Sequence, residues 1–221
     1  MTQRLEPRFE AMPVAQREIW PSLAPAVESG LVLYGGTAVA LYLGHRVSVD
    51  FDFFKSSPLD KESLRRDFNF MQDATILQDM PETLVVLAEM PSGPVKVSFF
   101  GGMSFGRVND PLCTNDGVLL VASREDLLAT KLKATLDRAE AKDYRDIAQL
   151  IAAGVSLPVG LSAFRQMFHG EPAQVLRAIG FFRDGDLPTL GADDRQVLLK
   201  ARDQIGKLPD VHLRTGLVAG G

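Results

Sequence analysis

At residues 31–54 the chain reads LVLYGGTAVALYLGHRVSVDFDFF, and two periodicities meet within it. The apolar run at 31–34 has the length and composition of a buried strand. Gly35-Gly36 supplies a tight turn. Thr37 is placed to cap a short helix over 38–43, which stops at Gly44. Across 49–54 carboxylate and apolar residues alternate with a period of two. A strand there puts Asp50 and Asp52 on one face and Phe51 and Phe53 on the other.

This order of elements has chemical consequences. A strand, a diglycine turn and a helix start together point unpaired backbone N–H groups outward, an arrangement suited to phosphate. Gly35 and Gly36 let the backbone approach a ligand with no Cβ between them. Thr37 adds a hydroxyl donor. Two carboxylates as close as Asp50 and Asp52 repel each other unless a cation lies between them, which points to Mg²⁺ or Mn²⁺ bridging to substrate phosphates. Arg46 offers the paired donors of a guanidinium to a phosphate. Ser48 stands two residues before Asp50, either as a phosphate contact or as a loop serine serving local backbone groups. Taken singly, a diglycine or an Asp-x-Asp on a strand is weak evidence, because the latter is usually a solvated face. Here Phe51, Phe53 and Phe54 bury the strand, so the acids need a partner: a bound cation, or Arg46 in a purely structural role.

On either side the pattern is mixed. The first thirty residues carry an amphipathic stretch around Ile19, Trp20, Leu23 and Val27, broken by Pro13, Pro21 and Pro25 into a helix or two. A polar helical stretch is predicted over 59–70. Two β-rich runs, 83–90 and 95–100, are joined by the turn residues Pro91-Ser92-Gly93-Pro94 as a hairpin. From residue 123 the period becomes helical: Ser123 and Asp126 form a capping box, and Leu128, Leu132, Thr135, Leu136 and Ala139 follow at helical spacing. Tyr144, Ile147, Ala148 and Ile151 form a second stripe, out of register with the first by about a third of a turn. The offset predicts a kink or break near 138–142. Further helices are expected around 159–168, 172–182 and 193–205, with a frayed final LVAGG. The predicted class is α+β: a mixed-sheet core with flanking helices over 1–122, then a helical region over 123–221 that completes the cleft.

Composition limits the alternatives. The 221 residues are 46% hydrophobic and 24% charged, ordinary for a globular protein and unlike a disordered or membrane-dominated one. There is no apolar run of about 18 residues, and the N-terminal MTQRLEPRFE is too charged for a secretory signal, so a cytoplasmic location away from membranes is expected. The single cysteine, Cys113, has no internal partner, and His45, His169 and His212 lack zinc spacing. A net charge of −4 gives no global pull toward nucleic acid but leaves room for a small nucleotide substrate.

The segments GGTAVAL and HRVSVDFDFF resemble the signature of AbiEii/AbiGii-type nucleotidyltransferase-like toxins of the DNA polymerase β-like superfamily. EDLLATKLKA and KDYRDIAQLI resemble that family's later lysine and acidic motifs, so the likeness spans roughly residues 30–152. The resemblance implies an NTP substrate, a divalent metal, nucleotidyl transfer to an RNA or protein acceptor in a toxin–antitoxin or abortive-infection setting, and a cognate antitoxin. Carried over, Gly35, Gly36 and Thr37 would hold the triphosphate and Asp50 and Asp52 the metal. Lys131 would contact phosphate, and Asp143 and Asp146 would act as general base or orient Lys131. On the residues alone, Asp143 equally suits the N-cap of the second helix, and Lys131 a solvated or snorkelling position beside the apolar stripe. One departure stands out. Such enzymes usually add a third carboxylate from a neighbouring strand, and VKVSFF has Ser98 there, with Lys96 on the same face and Glu89 on the preceding strand as the substitute candidate. The rival readings are an NTP-dependent phosphotransferase and a catalytically silent binding module of the same fold.

Overall fold

The proline-broken N-terminus forms short helices α1 (Val14–Ile19) and α2 (Pro25–Glu28) with a 3-10 turn at Trp20–Leu23 between them, in a computed structural model that describes residues 4–218. Strand β1 (Val32–Tyr34) is buried along its whole length, and helix α3 (Gly35–Leu43) leaves it with no intervening loop. The expected cap at Thr37 is therefore corrected: Tyr34 holds the N-cap position in extended conformation and Thr37 is the third helical residue. The reason is Gly35, whose φ of 73° makes the turn by itself, a conformation that carries no Cβ penalty in glycine. Gly44, left-handed at φ 63°, ends the helix as expected. Strand β2 (Asp50–Phe54) then runs antiparallel to β1, pairing Tyr34 with Asp52.

Helix α4 (Lys61–Asp67) is capped by Asp60, which accepts from the Ser63 N–H, and a 3-10 turn follows at Asn69–Gln72. Strand β3 (Thr75–Met80) leads to the hairpin of β4 (Thr83–Met90) and β5 (Gly93–Phe100), whose turn is the two residues Pro91 and Ser92, with Gly93 and Pro94 already in the ladder. Two short strands, β6 (Leu112–Cys113) and β7 (Leu120–Val121), complete a seven-stranded mixed sheet in the order β3-β4-β5-β2-β1-β7-β6. β2 is the central strand, parallel to β5 on one side and antiparallel to β1 on the other. Its odd-numbered face is core: Phe53 stacks on Phe99 at 5.6 Å and Phe99 meets Phe68 at 5.4 Å. All three rings are fully buried, and truncating one typically costs about 3–5 kcal/mol. β2 is thus anchored from below, leaving its even-numbered face to carry Asp50 and Asp52.

The helical part comprises α5 (Arg124–Asp137), α6 (Ala141–Ala152), α7 (Leu157–Phe168), α8 (Pro172–Ala178) and α9 (Ala192–Asp203). Ser123 caps α5, its hydroxyl accepting from the Asp126 N–H. The chain leaves helical conformation at 138–140, where the two stripes change register. α5 approaches α7 closely at Gly160, where a Cβ would stand 2.6 Å from a Leu128 methyl. The chain divides into two units: a sheet unit made of the described residues up to Phe105, Asp110–Ala122 and those from Thr215 onward, and a helical unit made of Gly106–Asn109 and Ser123–Arg214. Leu217 departs from the expected fraying, being 1% exposed with its N–H donated to Ser56 Oγ at 2.8 Å. The rest of the expected frayed end beyond 218 lies outside the described residues. Among the described residues no helix is long and apolar enough to cross a membrane.

Candidate active site

In the sheet unit, the turn into α3 is pressed against the acidic face of β2. A Cβ on Gly35 would stand 2.6 Å from Asp52 Oδ2, and one on Gly36 would overlap the Arg46 guanidinium and stand 3.0 Å from Ser48 Oγ. Gly35 and Gly36 therefore pack directly against Asp52, Arg46 and Ser48, and any larger residue in the turn would clash with those side chains. Arg46 is partly tethered there, donating from Nη1 to the Val47 carbonyl at 3.0 Å. Thr37, 1% exposed, lies 3.0 Å from Ser48 Oγ and also bonds the Asp50 carbonyl. That carbonyl can only accept, so the single Thr37 hydroxyl proton goes to it. The hydroxyl thus ties α3 to β2, and the contribution Thr37 has left for a ligand is its backbone N–H in the first helical turn.

The β2–β5 ladder decides what surrounds the acids. Asp50 is paired with Lys96 and Asp52 with Ser98, so all four side chains share a face. Lys96 Nζ lies 2.9 Å from Asp50 Oδ2, with the two side chains 40% and 35% exposed. Ser98 is 3% exposed and supplies no charge next to Asp52. Glu89 does not take the third acid's place. It pairs with Pro94 beside the hairpin turn and is exposed, two strands from β2 and so roughly 10 Å away at about 4.8 Å per strand.

The patch suits a hard divalent cation in one specific way. Among the described residues no group of three or more His, Cys, Asp or Glu side chains is assembled as a metal cage. Two carboxylates beside a glycine cradle match instead the arrangement in which one or two acids hold Mg²⁺ and the remaining positions go to water and substrate phosphates.

The helical unit brings Lys131, Asp143 and Asp146 together. Lys131 Nζ is 2.7 Å from Asp143 Oδ1 and 2.7 Å from Asp146 Oδ2, and both acids are 0% exposed. The acids are three apart on α6 and therefore share the face that meets Lys131 of α5. Lys131 is 5% exposed, which corrects the solvated reading: two of its three N–H donors are used by the acids. The N-cap reading of Asp143 is corrected as well. Glu140 holds that position, and the Ala141 N–H is satisfied by Asp186 Oδ1 at 2.6 Å. Arg138, in the break between α5 and α6, donates from Nε to Asp143 Oδ2 at 2.7 Å. Burial alone would raise the Asp143 pKa, but the Arg138 hydrogen bond and the Lys131 charge win and hold it below the usual carboxylate value. Sequence patterning overlooked Arg138. The one available signal was a long cationic side chain at the point where two helical registers part.

Another buried acid in this unit, Asp126, is pushed the other way. Asp126 accepts from the Val108 N–H at 2.6 Å and from the Ser123 hydroxyl at 2.6 Å. Burial nevertheless raises its pKa to about 6.

Comparison with known proteins adds three findings. The family model described as "Nucleotidyl transferase AbiEii toxin, Type IV TA system" matches residues 23–211. An uncharacterized protein of Aquifex aeolicus is 32% identical over 117 residues, 52% of this chain and 54% of that protein. The match thus spans about half the length of this curated relative. Among solved structures, MenT4, a nucleotidyltransferase toxin of Mycobacterium tuberculosis, superposes with a TM-score of 0.55 at 16% identity, covering 86% of this chain and 87% of that one. At that identity the likeness is one of fold.

Proposed function

Because the chain belongs to the AbiEii nucleotidyl transferase toxin family, we propose that it is the toxin of a toxin–antitoxin pair and moves a nucleoside monophosphate from an NTP to an RNA or protein acceptor with the help of a divalent cation. The observation that carries the reading is the cradle in which Gly35 and Gly36 leave no Cβ between the backbone and Asp52, Arg46 and Ser48.

The geometry supports the following roles. The N–H groups of Gly35, Gly36 and Thr37, at the start of a nine-residue helix, receive the triphosphate, and the helix dipole favours its charge. Arg46 forks onto a phosphate oxygen, with Ser48 beside it. Asp50 and Asp52 would hold Mg²⁺ or Mn²⁺, which would supply neutralisation of the phosphate charge. In the helical unit, Asp143 and Asp146 hold Lys131 rather than act as general base, because both are fully buried and already paired with its ammonium. The role of the cognate antitoxin is to silence this activity.

The test is incubation of the purified protein with α- or γ-labelled NTPs, Mg²⁺, total RNA and cell lysate. Label should enter a macromolecule from the α position only, and Asp50→Asn and Asp52→Asn should each abolish it. Transfer of γ-label instead would establish the phosphotransferase reading. A protein that binds Mg-NTP in neither form and transfers nothing would overturn both. The silent-module reading draws on Ser98, which stands opposite Asp52 where a third acid would complete a two-metal site.

A further inference from the structure

We infer that Lys96 is a built-in competitor of the metal: its ammonium holds Asp50 until a divalent cation arrives with the nucleotide, and is then released to the nucleotide's phosphates. The inference rests on the reading of Asp50 and Asp52 as the metal ligands and concerns a residue that reading leaves without a role.

Three observations combine. The ladder register places Lys96 directly beside Asp50 and Ser98 directly beside Asp52, so the strand that would contribute a third negative charge contributes a positive one. The ion pair is direct, Nζ to Oδ2 at 2.9 Å, and uses a carboxylate oxygen that a cation would need. Finally, its side chains are 40% and 35% exposed, and a pair so wetted is weak and readily exchanged. A divalent ion at the acids removes the reason for the lysine to stay. Its stem then needs only to turn toward the triphosphate, which carries the negative charge of the loaded site. Two acids, one divalent ion and one ammonium make a one-metal site, in which Lys96 supplies part of the charge that a second metal provides elsewhere.

This predicts effects of opposite sign from one substitution. Lys96→Met should bind Mn²⁺ alone about two- to fivefold more tightly than wild type, the factor by which a weak surface pair competes. It should bind Mg-NTP about tenfold or more weakly, for loss of a charge-assisted phosphate contact. Mn²⁺ binding to the full chain is read by electron paramagnetic resonance and nucleotide binding by fluorescence of a labelled NTP. Lys96→Arg, which keeps the pair, should bind Mn²⁺ as wild type does. Lys55→Met is the control for bulk charge: it lies five residues along from Asp50, roughly 16 Å by strand rise, and should leave Mn²⁺ affinity unchanged. Unchanged or weaker Mn²⁺ binding in Lys96→Met, with wild type and Lys96→Arg binding normally, overturns the competitor role and leaves the proposed function standing. If Lys55→Met tightens Mn²⁺ as much as Lys96→Met does, direct competition is overturned in favour of a general field effect. Wild-type protein that binds no Mn²⁺ and is indifferent to Asp50→Asn overturns the metal-site reading itself.

Discussion

Gly35 faces Asp52 so closely that a methyl group on it would stand 2.6 Å from the carboxylate oxygen Oδ2. Its φ of 73° adds a second constraint, since a left-handed conformation costs an L residue roughly 1–2 kcal/mol. Gly35→Ala should therefore lower stability by about 1–2 kcal/mol and, by turning the Asp52 carboxylate away, reduce nucleotidyl transfer at least about tenfold. The two effects are separated by urea unfolding and by Mn²⁺ binding. If Mn²⁺ affinity is unaltered in the folded variant, the turn does not position Asp52.

The Lys131–Asp143–Asp146 cluster should behave as one unit. Lys131→Met leaves two fully buried acids without the ammonium that bridges them, and breaking a buried pair from one side typically costs about 3–5 kcal/mol. Adding Asp146→Asn removes one of the stranded charges, so the double variant should be no less stable than Lys131→Met alone. A denaturant double-mutant cycle measures this coupling. Simple additivity of the two losses would show that the residues are not energetically linked.

The parts of the fold that sequence patterning reached are those with strong local periodicity. The β1–turn–α3–β2 segment, the β4–β5 hairpin and the break between α5 and α6 are each written in consecutive residues. Strand β3 was not anticipated because all six of its residues are exposed, so no alternation marks it. β6 and β7 are two residues long, too short for any period. The attachment of Gly106–Asn109 to the helical unit and of the described residues from Thr215 to the sheet unit depends on contacts with distant chain, such as the bridge between Arg107 and Arg214, which spacing does not encode. At the site, alternation along VKVSFF was enough to put Lys96 on the acidic face. Its pairing with Asp50 rather than Asp52 follows only from the register of two parallel strands separated by some forty residues of chain.

Two buried acids make opposite contributions to the pH dependence of stability. Asp143, held below its ordinary value of 3.8 by Arg138 and Lys131 against the effect of burial, stabilises the fold above that value. The contribution is lost as pH falls through the lower folded-state pKa. Asp126, raised by burial from 3.8 to about 6, works in reverse: its contribution is full below pH 3.8 and disappears as pH rises through about 6. Asp126→Asn keeps an oxygen for the Val108 N–H and removes the titration. Relative to wild type it should therefore gain on the order of 2 kcal/mol between pH 4 and pH 7, a shift of this size being worth about 1.4 kcal/mol per unit. Asp143→Asn should remove part of the acid-induced loss below about pH 4. Chemical unfolding at a series of pH values reads both. A stability difference between Asp126→Asn and wild type that does not change with pH would show that this carboxyl does not titrate in the expected window.

Thr37 offers a way to separate architecture from chemistry. Its hydroxyl is bonded to the Asp50 carbonyl and adjoins Ser48, so it holds the first turn of α3 to the start of β2. Valine has nearly the same shape and no hydroxyl. Thr37→Val leaves the carbonyl and Ser48 without that partner, and an unsatisfied buried acceptor costs about 1–3 kcal/mol. If Thr37 serves the nucleotide through its N–H alone, NTP binding by the folded variant should fall by no more than about threefold, because the helix start and both glycines are retained. Thr37→Ser restores the hydroxyl and should recover the stability. A folded Thr37→Val protein that loses nucleotide binding by a hundredfold, with Thr37→Ser restoring it, would place the hydroxyl itself on the phosphate and show that it leaves the Asp50 carbonyl when substrate arrives.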